Sequence, residues 1–217
     1  MKDTLVVIQC CKKKQDVEFY PDDEFDFMAS IPGTSWILKD GEKRFMLEGA
    51  IDASSHPISA LSRYNGYFYT SPHVRTRIAQ ETRHGSHQFL IMSAAYGFVH
   101  PFQKIHKYEK QMKGETTRYW LKIGLPKVLE ELVVAKEITR AYGFFSKSAD
   151  YRKIFEAVSW SKLSRLKEAG YFHLEETRGT SKILEISSQI MLNLLDTNFV
   201  EKPQSPKGSK VVFSRIV

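Results

Sequence analysis

The chain has 217 residues, a net charge of +7 and a pI of about 9.3. Its 42% hydrophobic and 26% charged content is that of a globular chain able to bury a core, which excludes a disordered one. No apolar run approaches the roughly 18 residues of a membrane span, and the one after Met1-Lys2-Asp3 is too short for a secretory signal, so the expectation is a cytoplasmic protein with no membrane partner.

In chain order, Leu5-Val6-Val7-Ile8-Gln9 reads as a buried strand opening into Cys10-Cys11-Lys12-Lys13-Lys14. Residues 16–27 are acidic and aromatic and read as an exposed excursion. Asp40-Gly41, between Trp36-Ile37-Leu38 and Phe45-Met46-Leu47, is a hairpin signal, so an inserted β-hairpin is expected at about 34–48. Ser71-Pro72 predicts a helix start and Gly85 its stop. Gln88 to Ala94 predicts a second buried strand. Helices follow over roughly 115–123 and 126–135, divided by Gly124 and Pro126. A third strand is expected over Glu137 to Phe145, then a helix capped by Asp150, a short helix from Ser161 stopped by Gly170, and a long helix from Thr180 or Ser181 with Ile183, Ile186, Ile190 and Leu194 on one stripe. Residues 201–209 read as a polar linker and Val211 to Val217 as a terminal strand; residues 1–200 form the expected domain.

Apolar strands separated by helices imply an α/β fold, a three-layer parallel sheet with helices on both faces. Ligands bind such sheets at the carboxyl ends of the strands. Cys10–Lys14, Ala94–His100 and Phe145–Tyr151 are therefore expected to converge on one cleft.

Five segments could carry chemistry there. The lysines after the first strand suit phosphate binding, and equally a solvated charge run. Ser93 to Pro101 is rich in small residues, with Tyr96 and His100 suited either to a ligand or to a tight turn. Glu109, within Lys107-Tyr108-Glu109-Lys110, suits proton transfer or water positioning, and equally a solvated loop. Asp150 reads first as a helix N-cap. Tyr64, Tyr67, Phe68 and Tyr69, with the arginines after them, suit either base stacking or core packing. Cys10 and Cys11 are adjacent, with Cα atoms about 3.8 Å apart, below the usual disulfide range. The seven histidines show no zinc-ligand spacing. Neither metal nor cofactor is expected, and the basic surplus makes nucleic acid the expected partner.

Together these segments resemble the YaaA-like family, and most closely its small relatives found among phage and mobile-element genes. The likeness is carried by Val6 to Lys14, Tyr69-Thr70-Ser71-Pro72 with Arg75 and Arg77, Ile91 to Val99, Tyr108-Glu109, Asp150-Tyr151 and Gly179 to Leu184. Ala95, Gln103 and Lys107 depart from the family pattern. The resemblance implies a fold similar to uracil-DNA glycosylases and an enzyme that flips a nucleotide from DNA and hydrolyses its N-glycosidic bond, possible substrates including a hypermodified phage cytosine, in antiviral defence or DNA repair. Glu109 would orient water, with Asp150 second; His100 or Lys147 would stabilise the departing base. Cys10, Tyr96, Tyr108, Lys147 and Tyr151 would hold the base, and Lys12, Lys13, Lys14, Tyr69, Arg75 and Arg77 the nucleic acid. The alternatives are a non-catalytic DNA-binding protein, a base-exchanging transglycosylase and a small-molecule nucleoside hydrolase.

Overall fold

Leu5, Val6, Val7 and Ile8 are fully buried, as a strand covered on both faces must be. A computed structural model describes residues 2–20, 27–146, 150–175, 179–201, 203 and 209–217. The elements in chain order are β1 (Thr4–Gln9), α1 (Ser35–Leu47), β2 (Ile51–Asp52), β3 (Ile58–Ser59), α2 (Ala60–Arg63), α3 (Tyr67–Thr70), α4 (Val74–His84), β4 (His87–Ser93) and β5 (Gly97–Val99). They continue with β6 (Lys104–Ile105), β7 (Lys107–Tyr108), α5 (Glu115–Ile123), α6 (Leu125–Ala135), β8 (Arg140–Phe144), α7 (Tyr151–Glu156), β9 (Glu168–Glu175), α8 (Thr180–Asp196) and β10 (Lys210–Arg215).

The main sheet has the order β10-β9-β8-β1-β4-β5. Its four inner strands, β9, β8, β1 and β4, run parallel, while β10 and β5 are antiparallel to their neighbours. The sheet is thus mixed, with the expected parallel arrangement confined to its centre. Helices α3, α4 and α8 pack together, and α1, α5, α6 and α7 form a second group. The chain crosses from β1 to β4 on one side and returns past β1 to β8 on the other, and right-handed crossovers in opposite directions place their helices on opposite faces. Among the described residues, no helix is long and apolar enough to cross a membrane.

The hairpin expected at 34–48 is instead the helix α1. Ile37, Leu38, Gly41 and Phe45 are its buried face, a helical spacing. Gly41 serves close packing rather than a turn: a Cβ there would lie 2.0 Å from Cη2 of Trp120. The short helix expected to stop at Gly170 is likewise replaced, because Glu168–Glu175 forms β9, parallel to β8. A Cβ on Gly170 would meet the Phe213 ring of β10 at 2.5 Å. The helix expected from Ser71-Pro72 begins at Val74, since His73 takes a left-handed φ of 65° and the Ser71 hydroxyl donates back to the Tyr67 carbonyl. The expected terminal strand is present as β10 and belongs to the main sheet. Most of the linker expected at 201–209 lies outside the described residues.

Helix propensity alone would make Gly41→Ala stabilising by about 1 kcal/mol. The buried indole beneath it predicts the opposite, a loss of about 1–3 kcal/mol from overpacking, measured as a lower urea midpoint with an unchanged slope.

Candidate functional site at the strand ends

Connections leave the β1–β8 boundary in opposite directions, and in α/β sheets a crevice opens at such a point beyond the carboxyl ends of the strands. Ile8 is level with Ile91 of β4 and Phe144 of β8. The three ends are laced together: Cys10 N donates to the Met92 carbonyl at 3.0 Å, and Ser146 N to Gln9 Oε1 at 2.7 Å.

A buried set of polar side chains gathers over these ends. Cys10 Sγ lies 2.9 Å from the Tyr151 hydroxyl. The Tyr108 hydroxyl lies 3.0 Å from that of Tyr64 and accepts from Ser93 Oγ at 3.1 Å. Tyr96 meets Tyr108 edge to face at 5.7 Å, and its hydroxyl accepts from His106 N at 3.1 Å. Burial pushes the phenols of Tyr64, Tyr69, Tyr108 and Tyr151 well above the usual tyrosine value, so they stay neutral at physiological pH. Burial, with Cys10 beside it, pushes the Cys11 thiol up to about 12. Cys11 acts as a clip, accepting from Gly66 N at 3.1 Å and donating to the Lys13 carbonyl at 3.0 Å.

The three lysines of the loop divide their roles. Lys12 and Lys13 are exposed. Lys14 turns inward, its Nζ 4.0 Å above the Tyr108 ring and donating to the carbonyls of Cys11 and Lys12 at 3.3 and 3.2 Å. Burial lowers its pKa, against the opposing influence of Cys10 and Glu109. Glu109 is exposed beside Tyr108, with its backbone N–H fixed to the Ala50 carbonyl at 2.9 Å. Cys10, Lys14, Tyr96, Tyr108, Glu109 and Tyr151 thus belong to one neighbourhood. Among the described residues, no group of three His, Cys, Asp or Glu side chains is placed to hold a metal ion.

Other expected site residues are employed elsewhere. Tyr69 is buried and donates to the Gln9 carbonyl at 2.7 Å, so it supports the site from beneath and offers no surface to nucleic acid. Tyr96 and Tyr108 are buried too, and the Tyr108 face is covered by Lys14, so neither ring is open for a base to stack on. His100 follows a strand that runs back along β4, with Val99 opposite Ile91, which carries it inward from the strand ends; its Nδ1 accepts from Phe102 N at 3.3 Å. Asp150 stands before α7 yet caps α5 instead, accepting from Gly114 N and Thr117 Oγ1, both at 3.0 Å. A hydrogen bond from Lys153 leads the interactions that lower its pKa. Arg77 pairs with Glu81 and Asp196 at 3.1 and 2.7 Å. Arg75 is half-buried and donates to the Tyr64 carbonyl and Asn65 Oδ1. Lys147 lies outside the described residues.

Two residues that the sequence did not single out hold the lysine loop in place. Arg63 is completely buried and donates to the carbonyls of Gln15, His56 and Ile105 and to Asp16 Oδ1. The Glu18 carboxylate accepts from Ser59 N, Ser59 Oγ, Ser62 Oγ and Tyr20 N at 2.5–2.9 Å. Burial alone would raise its pKa, but the bonds from Ser62, Ser59 and Tyr20 carry it down to about 2. Most of these contacts join residues 41–48 positions apart, so no local pattern announces them.

Comparison with protein-family models and with curated proteins finds no match in either.

A carboxylate with a lowered pKa adds stability that is complete above its unfolded value, here 4.5, and is lost as pH falls toward about 2. Glu18→Gln should therefore lower the urea midpoint at pH 7, with the difference from the parent shrinking across that acidic window. Cys11 should hold about a thousandfold less thiolate at neutral pH than an ordinary cysteine; alkylation followed by peptide mapping should label it only after denaturation.

Proposed function

We propose that the chain hydrolyses the N-glycosidic bond of a modified base in DNA and leaves an abasic site. The single observation supporting this reading is that Lys14 turns inward over the Tyr108 ring beyond the strand ends, above a bed of neutral phenols and within electrostatic reach of Glu109. The resemblance of the motifs to the YaaA-like family, which implies a uracil-DNA glycosylase-like fold, agrees with it, and suggests a substituted cytosine of phage DNA as one substrate and antiviral defence as one setting.

In this mechanism an everted nucleotide enters beyond the strand ends. The bond between C1′ and the base nitrogen breaks with its electron pair going to the base. The sugar becomes oxocarbenium-like, and the Glu109 carboxylate stabilises that charge and takes a proton from the attacking water. The Lys14 ammonium offsets negative charge on the departing base. Cys10 and Tyr151 form a polar floor that selects hydrogen-bonding edges. Lys12 and Lys13, both exposed, meet phosphates.

The exposure of Glu109 favours a second reading, DNA binding without catalysis, because water screens an exposed carboxylate. Nucleoside mass spectrometry on phage-derived modified DNA separates the two. The enzyme releases free base and leaves alkali-labile sites. Glu109→Gln should reduce release by about a hundredfold or more while DNA binding persists. Full activity in that variant overturns the assignment of Glu109, and the absence of released base across modified genomes favours the binding protein.

A further inference from the structure

Residues 16–20 follow the lysine loop as a short irregular stretch with a bend at Phe19. Glu18 and Tyr20 turn inward, to the Ser59–Ser62 hydroxyls and to Phe102 (ring centroids 6.3 Å apart). Val17 and Phe19 turn outward and are 57% and 51% exposed. The stretch is held firmly: the Glu18 carboxylate takes four hydrogen bonds, and Phe19 N donates to Ser62 Oγ at 3.0 Å. An aromatic ring is therefore fixed in water on an anchored backbone, where its exposure gains nothing for the fold.

Among the described residues, a cation faces that ring. The Arg75 guanidinium lies 5.5 Å from the Phe19 ring centre, and its bonds to the Tyr64 carbonyl and Asn65 fix its position. Asn65 N in turn donates to the Lys13 carbonyl at 2.9 Å, joining this patch to the loop that displays Lys12 and Lys13. Among the described residues, the neighbouring carboxylates are already engaged, Asp16 by Arg63 and Lys107 and Glu18 by Ser59, Ser62 and Tyr20.

We infer that Phe19, backed by Arg75 and flanked by Lys12 and Lys13, is a stacking platform for a base of single-stranded DNA passing the mouth of the site. A preset aromatic face with backbone-tracking cations is what such a strand needs, since every base has a π-face and stacking tolerates sequence. The platform loses little backbone freedom on binding because the backbone on both sides of the ring is already held. Arg75 acts through the ring as its support, and the phosphates fall to the two lysines. The inference rests on the reading that this end of the sheet meets DNA, and it gives that reading a place for the strand next to an everted nucleotide.

The test is fluorescence anisotropy of the full chain with an end-labelled, unmodified oligothymidylate over a range of salt. Phe19→Ala should weaken binding by about fivefold to a hundredfold with the salt slope unchanged, and Phe19→Trp should restore it. The Lys12→Ala, Lys13→Ala pair should instead flatten the salt slope by about 1.4, at roughly 0.7 per phosphate contact on a single strand. Wild-type affinity in Phe19→Ala overturns the platform, as does tighter binding of the duplex than of the single strand. No base leaves an unmodified oligonucleotide here, so failure of the hydrolytic reading would appear in base release alone and leave this result intact.

Discussion

The end of β1 depends on Gln9, which is bonded from two directions. Its backbone carbonyl takes the Tyr69 hydroxyl and its side-chain carbonyl takes Ser146 N, while the next residue continues the ladder onto β4. A buried amide and a buried phenol with no partners would each cost about 1–3 kcal/mol. Pairing them across the strand ends removes that cost and sets the relative heights of the loops after β1, β4 and β8. The positions of Cys10, Tyr108 and Tyr151 follow from this alignment, because each hangs from one of those loops or from a residue bonded to them.

Charge in this neighbourhood is arranged by depth. The deepest layer is neutral, since burial keeps the phenols protonated. Lys14 comes next, held against an aromatic face and backbone oxygens. Lys12, Lys13 and Glu109 stand outermost in water. An anion approaching from solvent first meets exposed cations, then a half-buried one with fewer waters to compete for it, where Coulomb attraction acts through a lower effective dielectric. Arg63 escapes this ordering because its buried charge is spent on three carbonyls and one carboxylate, which makes it an organiser of loops.

Legibility in the sequence followed the range of the forces involved. β1, β4 and β8 were readable because strands buried on both faces must be continuously apolar. Lys14, Tyr108 and Glu109 were readable as candidates because they lie next to those strand ends or in the loops beyond them. Gly41 and Gly170 misled because a glycine serves a turn and a close approach equally well, and only the partner across the gap (Trp120 or Phe213) distinguishes the two. Asp150 occupies the position expected for a cap, but the helix whose hydrogen bonds it satisfies is a different one. His100 was placed at the strand ends because the reversal of β5 at Gly97 has no apolar signature of its own. Glu18 and Arg63 escaped notice because their partners are remote in the chain.

Trp120 touches two glycines at once. A Cβ on Gly41 would lie 2.0 Å from its Cη2 and one on Gly97 would lie 3.2 Å from the same atom, while its Nε1 donates to the Ala94 carbonyl at 2.8 Å. The indole acts as a spacer of fixed thickness between the first helix and the turn that carries Tyr96. Its three neighbours are consequently not free to vary one at a time. A larger residue at Gly41 demands a smaller ring at 120, one at Gly97 must also displace Leu38 and Leu125, and a smaller ring releases the Ala94 carbonyl, so a change in this corner is tolerated only when several positions change in concert.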